Sequence, residues 1–205
     1  LVAKRETGMK IMAMVRPREG GFHYTPMEFA AALEDAKLLL SHGADGLVFG
    51  FLHEDGGLDV ERTRIFAELC REAGRESVFH RAIDVVPCWR EALDALMELG
   101  VTRVLTSGQQ ASVPLGADAI REMVQYAAGR IEILPGGGVN GRNLDWVIQH
   151  TGCGQVHLSG HRDASDPSAA NGRGIHFGGC LYPPEDRFRV VDSDYISGLT
   201  ARLDR

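Results

Sequence analysis

Residues able to do chemistry fall in short polar stretches, each directly after an apolar run. Arg16 and Arg18 flank Pro17, which stiffens the chain between them. Guanidinium donors form a fork that suits carboxylates and phosphates, so this pair reads either as an anion clamp centred on Arg16 or as two solvated or ion-paired arginines. Phe79-His80-Arg81-Ala82-Ile83-Asp84 brings an imidazole, a guanidinium and a carboxylate together. His80 with Asp84 suits acid–base catalysis, while the plainer reading is an interior hydrogen bond for His80 and an outward pairing for Arg81. Thr106-Ser107-Gly108 offers further donors, Ser107 among them. Glu132 is a candidate base or the partner of Arg16 or Arg81 in an interior salt bridge. His157 belongs either to the packed core or to the site.

Pro135-Gly136-Gly137-Gly138-Val139-Asn140 is the sharpest local signal. Three glycines after a strand let backbone N–H groups of Gly136, Gly137 and Gly138 approach an oxyanion, and Asn140 is placed to cap the next helix. The same glycines also suit a tight turn with positive φ angles.

The elements that must carry these residues alternate. Strands are expected over 10–15, 46–52, 77–82, 103–107, 131–134 and 155–159. Helices are expected over 26–42, 59–73, 88–99, 117–128 and 142–150, with Pro26 in a first turn, Asp59 as an N-cap and glycines as stops. Strand then helix, repeated about every thirty residues, marks a parallel sheet. No Gly-x-Gly-x-x-Gly follows a strand, which removes support from a dinucleotide-binding open sheet. Six units in roughly 160 residues, plus two of similar length, would make a barrel of about 250. The chain begins at Leu1 with what reads as a helix tail ending near Gly8. The fold expected is therefore an α/β chain forming a (β/α)8 TIM-type barrel whose first two strands are missing: a single incomplete barrel domain over 1–205. Within it, 161–205 is a loop-rich segment, unstructured over 161–184, with a short apolar run at 188–191 and a closing helix over 192–203. In such barrels the strand exits all face one way, so Arg16, His80, Arg81 and the glycine loop are expected to converge.

The net charge is −6, with both signs mixed along the chain, which disfavours nucleic-acid binding. No apolar run reaches membrane-span length and no signal peptide is visible. Cys70, Cys88, Cys153 and Cys180 are scattered, as expected of reduced thiols in a cytoplasmic protein, and form no local zinc motif.

Taken together, Met14-Val15-Arg16-Pro17-Arg18 with Gly20-Gly21-Phe22, Gly43–Gly50, Phe79–Asp84, Leu105–Gly108 and Ile131–Asn140 resemble the CutC family. The resemblance spans about Lys10 to Ser159, with a weaker echo in 188–203. It implies a cytosolic (β/α)8 barrel, homodimeric or larger, taking part in copper homeostasis, with no established enzymatic activity. Copper, the one cofactor the resemblance suggests, has been linked in the family to cysteines on strands that would precede Leu1, so no metal ligand is carried over. A soft Cu(I) site would want clustered thiolates or thioethers. The alternative function is a barrel enzyme acting on a small anionic, phosphorylated or similar substrate, with His80, Asp84 and Glu132 as proton carriers.

Overall fold

The computed structural model describes residues 2–169 and 185–203. Two compact units divide at His157, Leu1–His157 and Leu158–Arg205.

The first unit runs α1 (Val2–Thr7), β1 (Met12–Met14), α2 (Pro26–Ser41), β2 (Gly46–Phe49), α3 (Val60–Glu72), β3 (Glu76–Phe79), α4 (Trp89–Glu98), β4 (Arg103–Thr106), α5 (Val113–Ala127), β5 (Glu132–Pro135) and α6 (Leu144–Thr151). All five strands are parallel and stand in sequence order, β1-β2-β3-β4-β5. Every crossover thus advances by one strand in the same direction. With right-handed crossovers this places all helices on one face, whereas a doubly wound sheet must reverse its strand order. It is the wall of a TIM-type barrel. At the free edge of β5 the expected sixth strand is reduced to one parallel bridge, Gly136 to His157, with the His157 N–H donating to Pro135 O at 2.8 Å.

Alternation sorts the strand residues. Val48, Val78 and Leu105 pack with Met12 and Leu134, one residue from each strand. On the opposite side Phe49 meets Phe66 of α3 at 5.1 Å between ring centroids, and Phe66 meets Phe29 of α2 at 5.8 Å. The helices start where local chemistry permits. Thr25 and Glu28 form a reciprocal capping box ahead of Pro26, and Asp59 caps α3 through Arg62 N. α5 begins at Val113, four residues before the start expected from periodicity, with Pro114 in its first turn.

In the second unit the expected loop contains β6 (His161–Ser165), which pairs antiparallel with β7 (Arg187–Val191) ahead of α7 (Ser193–Leu203). Both strands are mostly exposed, so no apolar alternation marks β6 in the sequence. A short 3-10 turn over Pro167–Ala169 follows β6, and residues 170–184 of that expected loop lie outside the described residues.

Two side chains at the β3 exit fix how the mouth is built. A 3-10 turn over Arg81–Val85 follows the strand, and His80 is its N-cap, with Nδ1 accepting from the Ala82 N–H at 3.2 Å. Gly50 makes room for the ring: a Cβ there would lie 2.4 Å from His80 Cε1. His80 is buried, and burial, reinforced by the Arg16 charge, holds its pKa down at about 4. Asp84 ties β3 to β4. One carboxylate oxygen accepts from the Thr106 hydroxyl, from Ser107 N (3.0 Å) and from Gln109 N (3.1 Å). The other accepts from Arg81 Nε (2.7 Å), Ser107 Oγ (2.9 Å) and Ser107 N (3.0 Å).

Replacing Asp84 by Asn turns an amide donor toward donors already present, and Ala leaves them all unpaired. Either change should lower unfolding stability by about 3 kcal/mol or more in urea titrations, because a buried charge partner is lost. A loss under about 1 kcal/mol would contradict the role given to this carboxylate. Acid should also be destabilising through His80. Unfolded, its imidazole takes a proton below its ordinary 6.5, whereas folded it resists down to about 4. Stability must then fall as pH drops through that interval, by about 3 kcal/mol from this group. Stability–pH curves for wild type and His80→Gln should converge on acidification, and parallel curves would refute the assignment.

Candidate functional site

His80 and Arg81 are neighbours in sequence but serve different sides of the mouth. Arg81 reaches toward the exits of β4 and β5. Its Nε pairs with Asp84, its Nη2 donates to Ser107 Oγ at 2.6 Å and to Gln110 O at 3.4 Å, and its Nη1 stands 3.0 Å from where a Gly137 Cβ would be. The guanidinium is thus held rigidly, with one edge presented to the glycine loop. Gly137 and Gly138 have φ angles of +117° and +77°, which L side chains rarely adopt, so glycine is required at both. Gly136 is needed for space, since a Cβ there would meet Leu105 Cδ1 at 2.4 Å.

Asn140 does not cap α6. The N-cap position belongs to Asn143, while Asn140 Oδ1 accepts from Arg142 N at 2.9 Å and its Nδ2 donates to Gly138 O at 3.2 Å. Asn143 Nδ2 donates to the same carbonyl at 2.9 Å. Both amides therefore brace the loop.

On the other side Phe22 lies between Arg16 and His80, its ring tilted against the imidazole. The Phe22 ring lies 4.9 Å from the His80 ring, and the Arg16 guanidinium lies 5.2 Å above Phe22. Arg16 Nη2 donates to Gly20 O at 2.8 Å, and its side chain is otherwise exposed. Arg18 is occupied elsewhere, pairing with Glu28 at 2.6 Å and donating to His23 O at 2.6 Å, so it braces the entry to α2.

The expected convergence is therefore divided: Arg81, Ser107 and the glycine loop make one constellation, Arg16 and His80 another. Two expected proton carriers are placed for different work. The Asp84 oxygens serve Arg81 and the β4 exit and make no bond to His80. Glu132 opens β5 whereas the glycine loop follows its end, roughly 10 Å along the strand. It pairs with Arg103 at 2.6 Å, not with Arg16 or Arg81, and Arg103 also holds Glu76 at 3.1 Å. These three sit at the start of their strands, at the end remote from the mouth.

Sequence reasoning named Phe22 and Gly50 only as parts of motifs, with no role at the site, and passed over Gln109. Gln109 has a positive φ of 56°, and its side-chain amide donates to Val86 O at 2.7 Å, fastening the β4 exit to the turn after β3. Its place directly after Thr106-Ser107-Gly108 was the available signal.

The residues fit oxygen-rich anions better than a soft cation. Among the described residues no group of three or more His, Cys, Asp or Glu side chains is placed to hold a metal ion. Burial pushes the Cys70 thiol up to about 11 and raises that of Cys153, which disfavours thiolates. Cys88 lies at the start of α4, and Cys180 is outside the described residues. Among the described residues no helix is long and apolar enough to cross a membrane.

Comparison with known proteins agrees with this architecture. The CutC family model matches residues 2–162. A family protein CutC from Treponema denticola is 49% identical over 202 residues, covering 98% of this chain and 81% of the relative. The copper homeostasis protein cutC homolog of Homo sapiens is 34% identical over 200 residues, covering 98% and 72%. The crystal structure of CutC from Streptococcus agalactiae superposes with a TM-score of 0.70 at 34% identity, covering 75% of this chain and 74% of that one. With these relatives and with its motifs at the strand exits, the chain belongs to the CutC family.

Proposed function

We propose that this protein takes part in copper homeostasis, as a cytoplasmic homo-oligomer that handles copper without a thiolate site on the described residues. The observation that carries the role is the reach of the match: the human relative bearing that name is 34% identical over 98% of this chain. Cysteines scattered along the chain, with Cys70 and Cys153 buried as free thiols, suit a reducing compartment. Their raised thiol pKa values make copper binding through Cys70 or Cys153 weak, because a soft ligand must first lose its proton.

A second reading is favoured by one specific feature, the pair of positive-φ glycines beside the Arg81 guanidinium. Backbone N–H groups and a positioned fork together suit a phosphate or carboxylate. In this reading the mouth binds a small anionic ligand, and the barrel serves as an enzyme or sensor for it.

Expression of this chain in cells lacking their own CutC-family protein should restore copper tolerance, while the purified chain should hold Cu(I) no more tightly than the micromolar range. Unchanged tolerance would count against the role, and a stoichiometric sub-micromolar complex abolished by Cys70→Ser would overturn the account of the thiols. For the mouth, Gly137→Val should weaken inorganic phosphate binding at least about tenfold in calorimetry, since its side chain meets Arg81 at a strained φ. Equal affinity in a folded variant would remove the glycine loop from the site.

A further inference from the structure

We infer that His80 keeps its Nε2–H as a hydrogen-bond donor for an oxygen of a small anion, reached from the adjoining cavity when the Phe22 ring swings aside. This rests on the reading of the mouth as an anion site and adds a donor to it on the side away from the glycine loop.

The tautomer follows from the cap. Nδ1 accepts from the Ala82 N–H at 3.2 Å, so Nδ1 uses its lone pair and carries no proton. In the neutral ring the proton then sits on Nε2. Burial, aided by the Arg16 charge, keeps the ring neutral at ordinary pH. Yet Nε2 is buried with no hydrogen-bond partner among the described residues. An unpaired buried donor costs about 1–3 kcal/mol, and folded proteins retain few of them.

The surroundings decide what can reach it. Gly50 closes the Cε1 and Nδ1 side, where even a Cβ would lie within 2.5 Å of both atoms. Phe22 covers the ring at 4.9 Å and is only half-buried. Phe22 also lines a cavity of about 490 Å3 whose rim carries Arg18, His23, His53, Glu54 and Asp55. The Phe22 carbonyl is held by Leu52 N at 3.0 Å, and Gly20 O by Arg16. With both carbonyls held, the proposed access is rotation of the Phe22 ring rather than opening of the loop.

The chemistry of the occupant follows. A protonated Nε2 requires an acceptor, and oxygen supplies one. Arg16, stacked on the same Phe22 ring, favours a negative charge on that oxygen. A metal ion would need a lone pair on Nε2, and providing it would move the proton to Nδ1 and break the cap. The same tautomer makes His80 a donor that polarises a bound carbonyl, carboxylate or phosphate, and not the base expected from its place beside Asp84.

The test is side-chain 15N NMR of the full chain at neutral pH, with His80 assigned through His80→Gln, during titration with sodium phosphate and, separately, sodium acetate. A protonated Nε2 with a bare Nδ1 is expected, and its Nε2–H signal should shift with one or both anions, distinguishing phosphate from carboxylate ligands. Phe22→Ala should lower the anion concentration required several-fold. An Nδ1–H tautomer, an imidazolium ring, or a signal unmoved by either anion in both wild type and Phe22→Ala overturns the inference. The two readings fail separately. If Gly137→Val loses phosphate affinity while the His80 signal never moves, the glycine loop stands and His80 does not. If the His80 signal shifts equally with Gly137 intact or replaced, His80 stands alone.

Discussion

A single carboxylate holds the mouth of this barrel together. Asp84 gathers donors from Arg81 in the turn after β3 and from Thr106, Ser107 and Gln109 at the end of β4, using both oxygens. A carboxylate has about four lone-pair directions, so it can satisfy several N–H and O–H groups that neighbouring strand ends leave unpaired. The fixed position of Arg81 follows from it, as does the anchoring of Gln109 in its left-handed conformation. Ser107 is fastened three ways by the same group. Its bonds serve the geometry of the mouth, and none of them reaches His80.

From that anchor the β3 exit sends its two polar residues apart. Arg81 is drawn toward Asp84, Ser107 and the glycine loop; His80, one residue earlier, turns into the space that Gly50 leaves. The mouth is therefore built from two positively inclined sides, a rigid guanidinium beside the braced glycine loop on one and a neutral imidazole beneath Phe22 and Arg16 on the other. Both sides offer hydrogen-bond donors, and neither gathers soft ligands.

That chemistry bears on how a CutC-family protein can serve copper homeostasis. Cu(I) favours thiolate and thioether ligands, whereas hard oxyanions favour N–H donors and guanidinium forks. The described cysteines sit on α3, at the start of α4 and after α6, and the buried ones resist ionisation. The donors of the mouth suit a small oxyanion better than Cu(I).

The sequence by itself determined the parts governed by neighbours along the chain. Apolar runs ending in polar turns marked all five strands, Asp59 and Pro26 marked helix starts, and the triple glycine marked a loop of unusual backbone shape, because caps, periodicity and φ preferences act within a few residues. Asn140 and Asn143 show the limit: both are good caps, and only the path of the loop decided which stands at the helix start. The rest required contacts between distant residues. Strand register set Arg103 beside Glu132 and moved that acid to the far end of the barrel wall. Tertiary packing laid Phe22 over His80, gave Asp84 its donors from β4, and paired the polar β6 with β7. Such pairings depend on how strands associate across tens of residues, and a hydrogen bond or ring contact of that range leaves no periodic trace in the chain that makes it.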